Sequence, residues 1–244
     1  MAERNPTTQP TYGTPNWDLI GRWLELPAEE DTPFWAVNLM KYKARADYGD
    51  EGDQGRSGRE ADDAYTPLGP LAAIGAMVAF VGDVIEQRGS SPTWDRVGIV
   101  RYPNRQAFFA MQRRDDFKSQ HVHKEAGMDV TIVLACLPAG DGPLAATPDG
   151  GHVLVRVGQP GGDGEVTPTG AAPLSRFTVE GVIVGDERTW GEVRFDHVAD
   201  ASTLAVMLDN ANSEAFTLVV KPAGDFDRLV ESIETAGTVP AREA

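Results

Sequence analysis

The stretch WDRVGIVRYPNRQAFFAM, residues 94–111, has a partner later in the chain, WGEVRFDHVADASTLAVM, residues 190–207. With Trp94 laid on Trp190, Val97 meets Val193, Ile99 meets Phe195 and Asn104 meets Asp200; beyond them Phe108 meets Leu204 and Met111 meets Met207. Strand parity, helix cap and buried helix face therefore coincide without a gap, whereas a chance tryptophan match would scatter them. The stretch reads as one arm of an internal duplication.

Working outward, FWAVNLM (34–40) follows Pro33 and is a short apolar run suited to a buried strand. The charged, Gly-rich segment ARADYGDEGDQGRSGREADDAY (44–65) reads as a long loop leading into a helix around Leu68 to Gly75. MVAFVGDVIEQ and WDRVGIVRY form a hairpin about Gly89 to Pro92, Asn104 caps a helix, and VTIVLACL closes the unit as a strand. The order is βαββαβ, the ferredoxin-like arrangement. PAGDGPLAATPDGG (138–151) has linker composition, and after it HVLVRVG, LSRFTVEGVIV and WGEVRFDHV repeat the strand pattern. The expected fold class is α+β, two ferredoxin-like domains in one chain. The expected division is an N-terminal extension (1–32), a ferredoxin-like domain with the pocket (33–138), a linker (139–150) and a degenerate copy (151–244). Phe226, Leu229, Val230 and Ile233 predict an amphipathic helix at the end of that copy. Each half alone would leave an apolar sheet face in water, so the two are expected to pack as a pseudo-twofold pair with helices outside.

Composition limits the function classes. The chain has 244 residues and carries 22 Lys and Arg against 37 Asp and Glu, a formal charge of -15 that repels phosphate backbones and anionic membranes. Neither nucleic acid nor a membrane is expected as partner. The opening MAERNPTTQPTYGTPNW has no apolar leader region, and no run approaches the ~18 apolar residues of a membrane span, so the expected location is cytoplasmic. The single Cys136 lies in the apolar run TIVLACL and reads as a core thiol. GQPGGDGE lacks the features of a P-loop and of a dinucleotide fingerprint. Neither a Gly-x-Ser-x-Gly elbow nor a His-Glu-x-x-His pair is present, and no metal ligand set is recognised.

Differences between the copies point to the site. Met111 to Thr131 in the first half corresponds to the much shorter Met207 to Thr217 in the second, a loss of about the length of KSQHVHKEAG (118–127). The charged loop of the first half is likewise reduced to GQPGGDGEVTPTGAAP. These two segments, with the strand end just before the first of them, hold the candidate catalytic groups His121, His123, Lys124 and Tyr65, and the candidate binding groups Lys41, Tyr42, Arg59 and Asp62. Asn38 is the odd polar residue of its strand, sharing a face with Met40, while Trp35, Val37 and Leu39 share the other. Arg101, on a face with Val97 and Ile99, can hold a substrate carboxylate or pair with Glu86 or Asp83. On a helix His121 and His123 point about 200° apart, and His121 joins Lys124 and Glu125 on one face. The bland reading of the same residues is a solvated surface.

VNLMKYK, WDRVGIVRYPNRQAFFAMQRRDDF and the polar stretch after them resemble the bacterial family known as domain of unknown function 1330, over roughly residues 33–138. That family belongs to the dimeric α+β barrel superfamily, in which two ferredoxin-like units join their sheets and the pocket lies between a sheet face and its helices. The resemblance implies a barrel formed within this one chain. Its relatives include cofactor-free monooxygenases, lactone isomerases and polyketide cyclases, with haem-binding members as well. The function expected is a cofactor-independent isomerase, cyclase, lyase or monooxygenase of bacterial metabolism, acting on a small, partly apolar carbonyl or carboxylate compound by histidine acid–base chemistry. A non-catalytic binding protein and a haem enzyme with a histidine axial ligand are the alternatives. Self-association beyond the intramolecular pair is left open.

Overall fold

The computed structural model describes residues 10–49, 55–139, 150–160, 169–209, 211 and 215–223. The chain opens with a short strand β1 (Thr14–Pro15) and a helix α1 (Trp17–Leu24). The first half follows as β2 (Phe34–Tyr42), α2 (Gly58–Tyr65), α3 (Leu68–Ala73), β3 (Met77–Gly89), β4 (Arg96–Tyr102), α4 (Arg105–Arg113), α5 (Asp115–Gly127) and β5 (Met128–Pro138). The second contains β6 (His152–Gly158), β7 (Ala171–Gly185), β8 (Glu192–Val198), α6 (Ala201–Asp209) and β9 (Phe216–Pro222). Among the described residues no helix is long and apolar enough to cross a membrane.

Strands of the first half lie in the order β5-β2-β4-β3, and those of the second in the matching order β9-β6-β8-β7, all antiparallel. Two long strands close the set. β3 pairs β4 through its first part and β9 through its second, from Gly82↔Pro222 to Gly89↔Phe216. β7 pairs β8 from Ala171↔Val198 to Thr178↔Glu192, then β5 as far as Val133↔Val184. The result is a closed eight-stranded antiparallel barrel. Alternation sends Trp35, Val37 and Leu39 inward to a packed core with Val97, Ile99, Phe177 and Phe195, and sends Asn38 and Met40 outward beneath the helices. Both faces of β2 are covered, which is why FWAVNLM is almost continuously apolar.

One sequence expectation changes, and two further segments take their places in the fold. GREADDAY is not loop but helix α2, started by a capping box: Glu60 N donates to Ser57 Oγ at 3.2 Å, and Ser57 N donates to the Glu60 carboxylate at 2.7 Å. The N-terminal extension is part of the fold. α1 buries Leu19 and Trp23 against the outer face of the first sheet, and Trp23 Nε1 donates to Glu180 of β7 at 2.8 Å. KSQHVHKEAG lies on the long helix α5. Residues 226–233, where a terminal helix is expected, and residues 161–168 of the shortened second-half segment lie outside the described residues.

Backbone contacts hold α2 on α5. Lys43 N donates to Gly127 O at 2.9 Å and Gly58 N to Lys43 O at 3.0 Å, which draws together the end of β2, the start of α2 and the end of α5. A Cβ on Gly58 would collide with the carbonyls of Gly127 and Lys43. Gly58→Ala is therefore expected to cost about 1–3 kcal/mol of stability through overpacking. Urea unfolding measures this, and an unchanged midpoint with an unchanged slope would show that the clamp yields freely.

Candidate functional site

Between the outer face of the first sheet and its helices lies a cavity of about 630 Å³. Its floor is β2, β4 and β5, where Ala36, Asn38, Gly98, Val100 and Val133 face outward. Its walls come from α1, α2, α4 and α5 and from the segment before β1. Most of the lining is apolar, so the few polar groups stand out.

Lys124 is the most exposed to chemistry among them. Its Nζ lies 5.2 Å from the ring centre of Tyr12 and 5.3 Å from that of Tyr65, and no described residue gives it a hydrogen bond or an ion pair. Burial holds its pKa below the ordinary lysine range, opposed by the negative charges of Asp62 and Glu125. Tyr65, at the end of α2, has its pKa raised well above the ordinary value, mainly by burial, and stays a phenol able to donate. Asn38 donates through Nδ2 to Ala36 O at 2.9 Å, leaving its carbonyl oxygen as an acceptor at the floor.

One turn before Lys124, the His121 ring rests against Phe117, Tyr65 and Tyr12. Its Nε2 is 3.3 Å from Tyr12 Oη and 3.5 Å from Glu125 Oε1, while Nδ1 is buried without a partner. Both contacts fall on one nitrogen, so the three groups do not form a linear relay. Burial and the neighbouring Lys124 charge lower the pKa of His121, with Glu125 acting against them. The imidazole is consequently neutral at pH 7.

Asp62 also lines the cavity and is engaged through Oδ2. It accepts from Tyr42 Oη at 2.6 Å and pairs with Arg96 at 3.2 Å; Arg96 also reaches Asp63 at 2.8 Å and Asp83 at 3.4 Å, and Arg59 pairs with Asp83 at 2.9 Å. Tyr42 and Arg59 thus brace the cavity wall without facing its space. The remaining candidates lie elsewhere. His123 Nδ1 contacts Tyr48 Oη at 2.9 Å, on another side of α5. Lys41 has the interior parity of β2 and donates to Thr93 Oγ1 at 3.1 Å. Arg101 is buried on the inward face of β4, and Asp83 and Glu86 pair with other arginines instead. Of the ten sequence candidates, His121, Lys124, Tyr65, Asn38 and Asp62 border the same cavity. Tyr12, Trp17, Ile20 and Leu24 join them from a segment the sequence reading treated as an extension. Among the described residues no three His, Cys, Asp or Glu converge as metal ligands.

No family model and no curated protein matches the chain. Among solved structures, a protein of unknown function from Rhodopseudomonas palustris is 24% identical, with a TM-score of 0.45 over 55% of this chain and 99% of its own. A mutant chlorite dismutase from Candidatus Nitrospira defluvii in complex with cyanide is 9% identical, with a TM-score of 0.45 over 83% of this chain and 95% of its own. Likenesses this distant assign neither a family nor a function.

The Arg96 network should matter for stability. Arg96 and Asp62 are both buried, so Arg96→Met leaves a carboxylate without its cation and is expected to cost about 3–5 kcal/mol. Adding Asp62→Asn should restore part of the loss. Denaturant titration of the two variants checks this, and a double variant no more stable than the single one would break the assignment.

Proposed function

We propose that the chain is two copies of one ferredoxin-like unit, 33–138 and 151–244, forming an intramolecular α+β barrel. In this reading the first copy carries a cofactor-independent acid–base site for a small, partly apolar carbonyl or carboxylate metabolite. The observation that carries it is the Lys124 ammonium, unpaired in a largely apolar cavity beside the neutral imidazole of His121. The Asp62 and Glu125 carboxylates act on it without direct contact, and a cation with no direct ion pair in such surroundings is stabilised by an anionic ligand. Lys124 and the Tyr65 phenol anchor a carboxylate or an enolate oxygen. A small ligand displaces the Tyr12 hydroxyl from His121 Nε2, and the neutral ring then takes a proton through Nε2 from the carbon next to a carbonyl and returns it to carbon or oxygen, so that an enolisation completes without an outside reactant. Asn38 orients a donor on the ligand from the floor.

A haem ligated by histidine has less support. An axial ligand needs a ring nitrogen facing open volume. His121 Nδ1 is sealed, its Nε2 is flanked by Tyr12 and Glu125, and His123 faces Tyr48. These residues do not fit that group.

The enzyme reading is tested with phenylpyruvate, an enolisable 2-oxo acid, by following hydrogen–deuterium exchange at its methylene carbon by NMR. The protein is expected to accelerate exchange, and His121→Gln to reduce the acceleration about 10²–10⁴-fold while phenylpyruvate still binds. The His121 pKa is lowered, so the base form persists at pH 7. The rate is expected to fall only in acid, with an inflection below the ordinary histidine value. Binding without any acceleration would leave the non-catalytic binding protein as the function.

A further inference from the structure

Resting on the reading of this cavity as a ligand site, the chemistry of helix α1 says more about what the ligand is. α1 divides into three faces at helical spacing. Leu19 and Trp23 are buried in the core beneath. Asp18, Arg22 and Glu25 are exposed on the outside. Trp17, Ile20 and Leu24 form the third face and line the cavity, yet Trp17 is 63% and Leu24 56% exposed. They are wall and rim at once, an apolar strip left in contact with water.

The strip has a direction relative to the polar groups. Tyr12, in contact with His121 and Lys124, lies just before α1 in the chain, and Leu24 closes the helix beside Trp23, which packs on Phe108 and Phe109. The seven-residue rise from Trp17 to Leu24 covers about 10 Å. The cavity accordingly has a polar end at α2 and α5, where Lys124, Tyr12 and Tyr65 stand beside Asp62, whose Oδ2 is paired with Arg96, and an apolar end at α1 and α4. A compact polar metabolite would occupy the first end and leave the strip wet.

We propose that the ligand is a linear amphiphilic monocarboxylate, its head group at Lys124 and its hydrocarbon tail along Trp17, Ile20 and Leu24. A protein partner docking on α1 would meet the charged face of Asp18, Arg22 and Glu25 as well, whereas a narrow tail covers only the strip that is continuous with the cavity. Trp17 and Leu24 are then the residues that set the preferred chain length.

Isothermal titration calorimetry of the full chain with straight-chain carboxylates from butanoate to dodecanoate tests this. Affinity is expected to rise about fourfold per added methylene until the strip is covered. Trp17→Ala and Leu24→Ala remove exposed side chains, and circular dichroism checks that each variant keeps the fold. Each is expected to lose about tenfold in affinity for dodecanoate and less than about twofold for butanoate. Affinity independent of chain length, or a slope unchanged in both variants, overturns the tail assignment. The underlying site reading fails separately, if the matching alcohols bind as tightly as the carboxylates or if Lys124→Ala binds every carboxylate as well as the parent protein.

Discussion

Everything in this molecule depends on two strands that each belong to two ladders. β3 and β7 run 13 and 15 residues, long for a small domain, and each leaves its own sheet midway to pair with the other half. The pairing shifts between Val84 and Glu86 in β3 and between Pro173 and Ser175 in β7, and local irregularities of this kind let a strand bend and serve a second partner. With both seams made, no edge of the eight-stranded ring stays open and the inward residues of both halves share one core. That core is filled with side chains. The cavity described above lies on the outside of the ring, under helices.

The outer face is where the polar groups meet, because three separate segments are pinned over it. The backbone clamp of Lys43, Gly58 and Gly127 sets α2 against α5, so that Tyr65 and Asp62 of one helix face His121 and Lys124 of the other. α1 is fixed by Trp23, which donates to Glu180 and lies 5.6 Å from the Arg105 guanidinium; Arg105 in turn pairs with Glu180 at 2.6 Å. A strand of the second half therefore helps hold the roof of a cavity on the first. The two halves are coupled through the site as well as through the core.

The α+β class and the antiparallel strands were legible in the sequence because they rest on period. Trp94 and Trp190 set a common frame, and in the structure β4 and β8 are both seven residues long and α4 and α6 both nine. The site was half legible. Asn38 could be placed by strand parity, and the same parity argued against Lys41 and Arg101, which share the inward phase of Leu39 and Ile99. His121 and His123 could not both face one cavity once their segment was helical. Two signals were present and went unread: the Ser57–Glu60 spacing of a capping box in a segment that looked like loop, and Asn16 ahead of WDLIGRWL, whose side chain accepts from Leu19 N at 3.0 Å. Polar, Gly-rich composition hid the first, and position before the recognisable unit hid the second. The partner of each charged group in the Arg96 network depends on packing between helix and sheet, which no local pattern encodes.

Comparing the strands laid together by Trp94 and Trp190 shows how the floor of the first-half cavity is made. The outward residues of β4 are Arg96, Gly98, Val100 and Tyr102; at the matching positions β8 carries Glu192, Arg194, Asp196 and Val198. Gly98 has no side chain and Val100 a small one, so the floor is low at the centre of the sheet, and Met40 Cε already lies 3.2 Å from where a Cβ on Gly98 would be. In the second half Asp196 is buried and pairs with Arg156 at 2.7 Å across to β6. There the ground above the sheet is occupied by a buried ion pair, made through Arg156 Nη2 and Asp196 Oδ2. In the first half an ion pair stands at the cavity wall, at Arg96 and Asp62, and Lys124 beside it lies over the rings of Tyr12 and Tyr65.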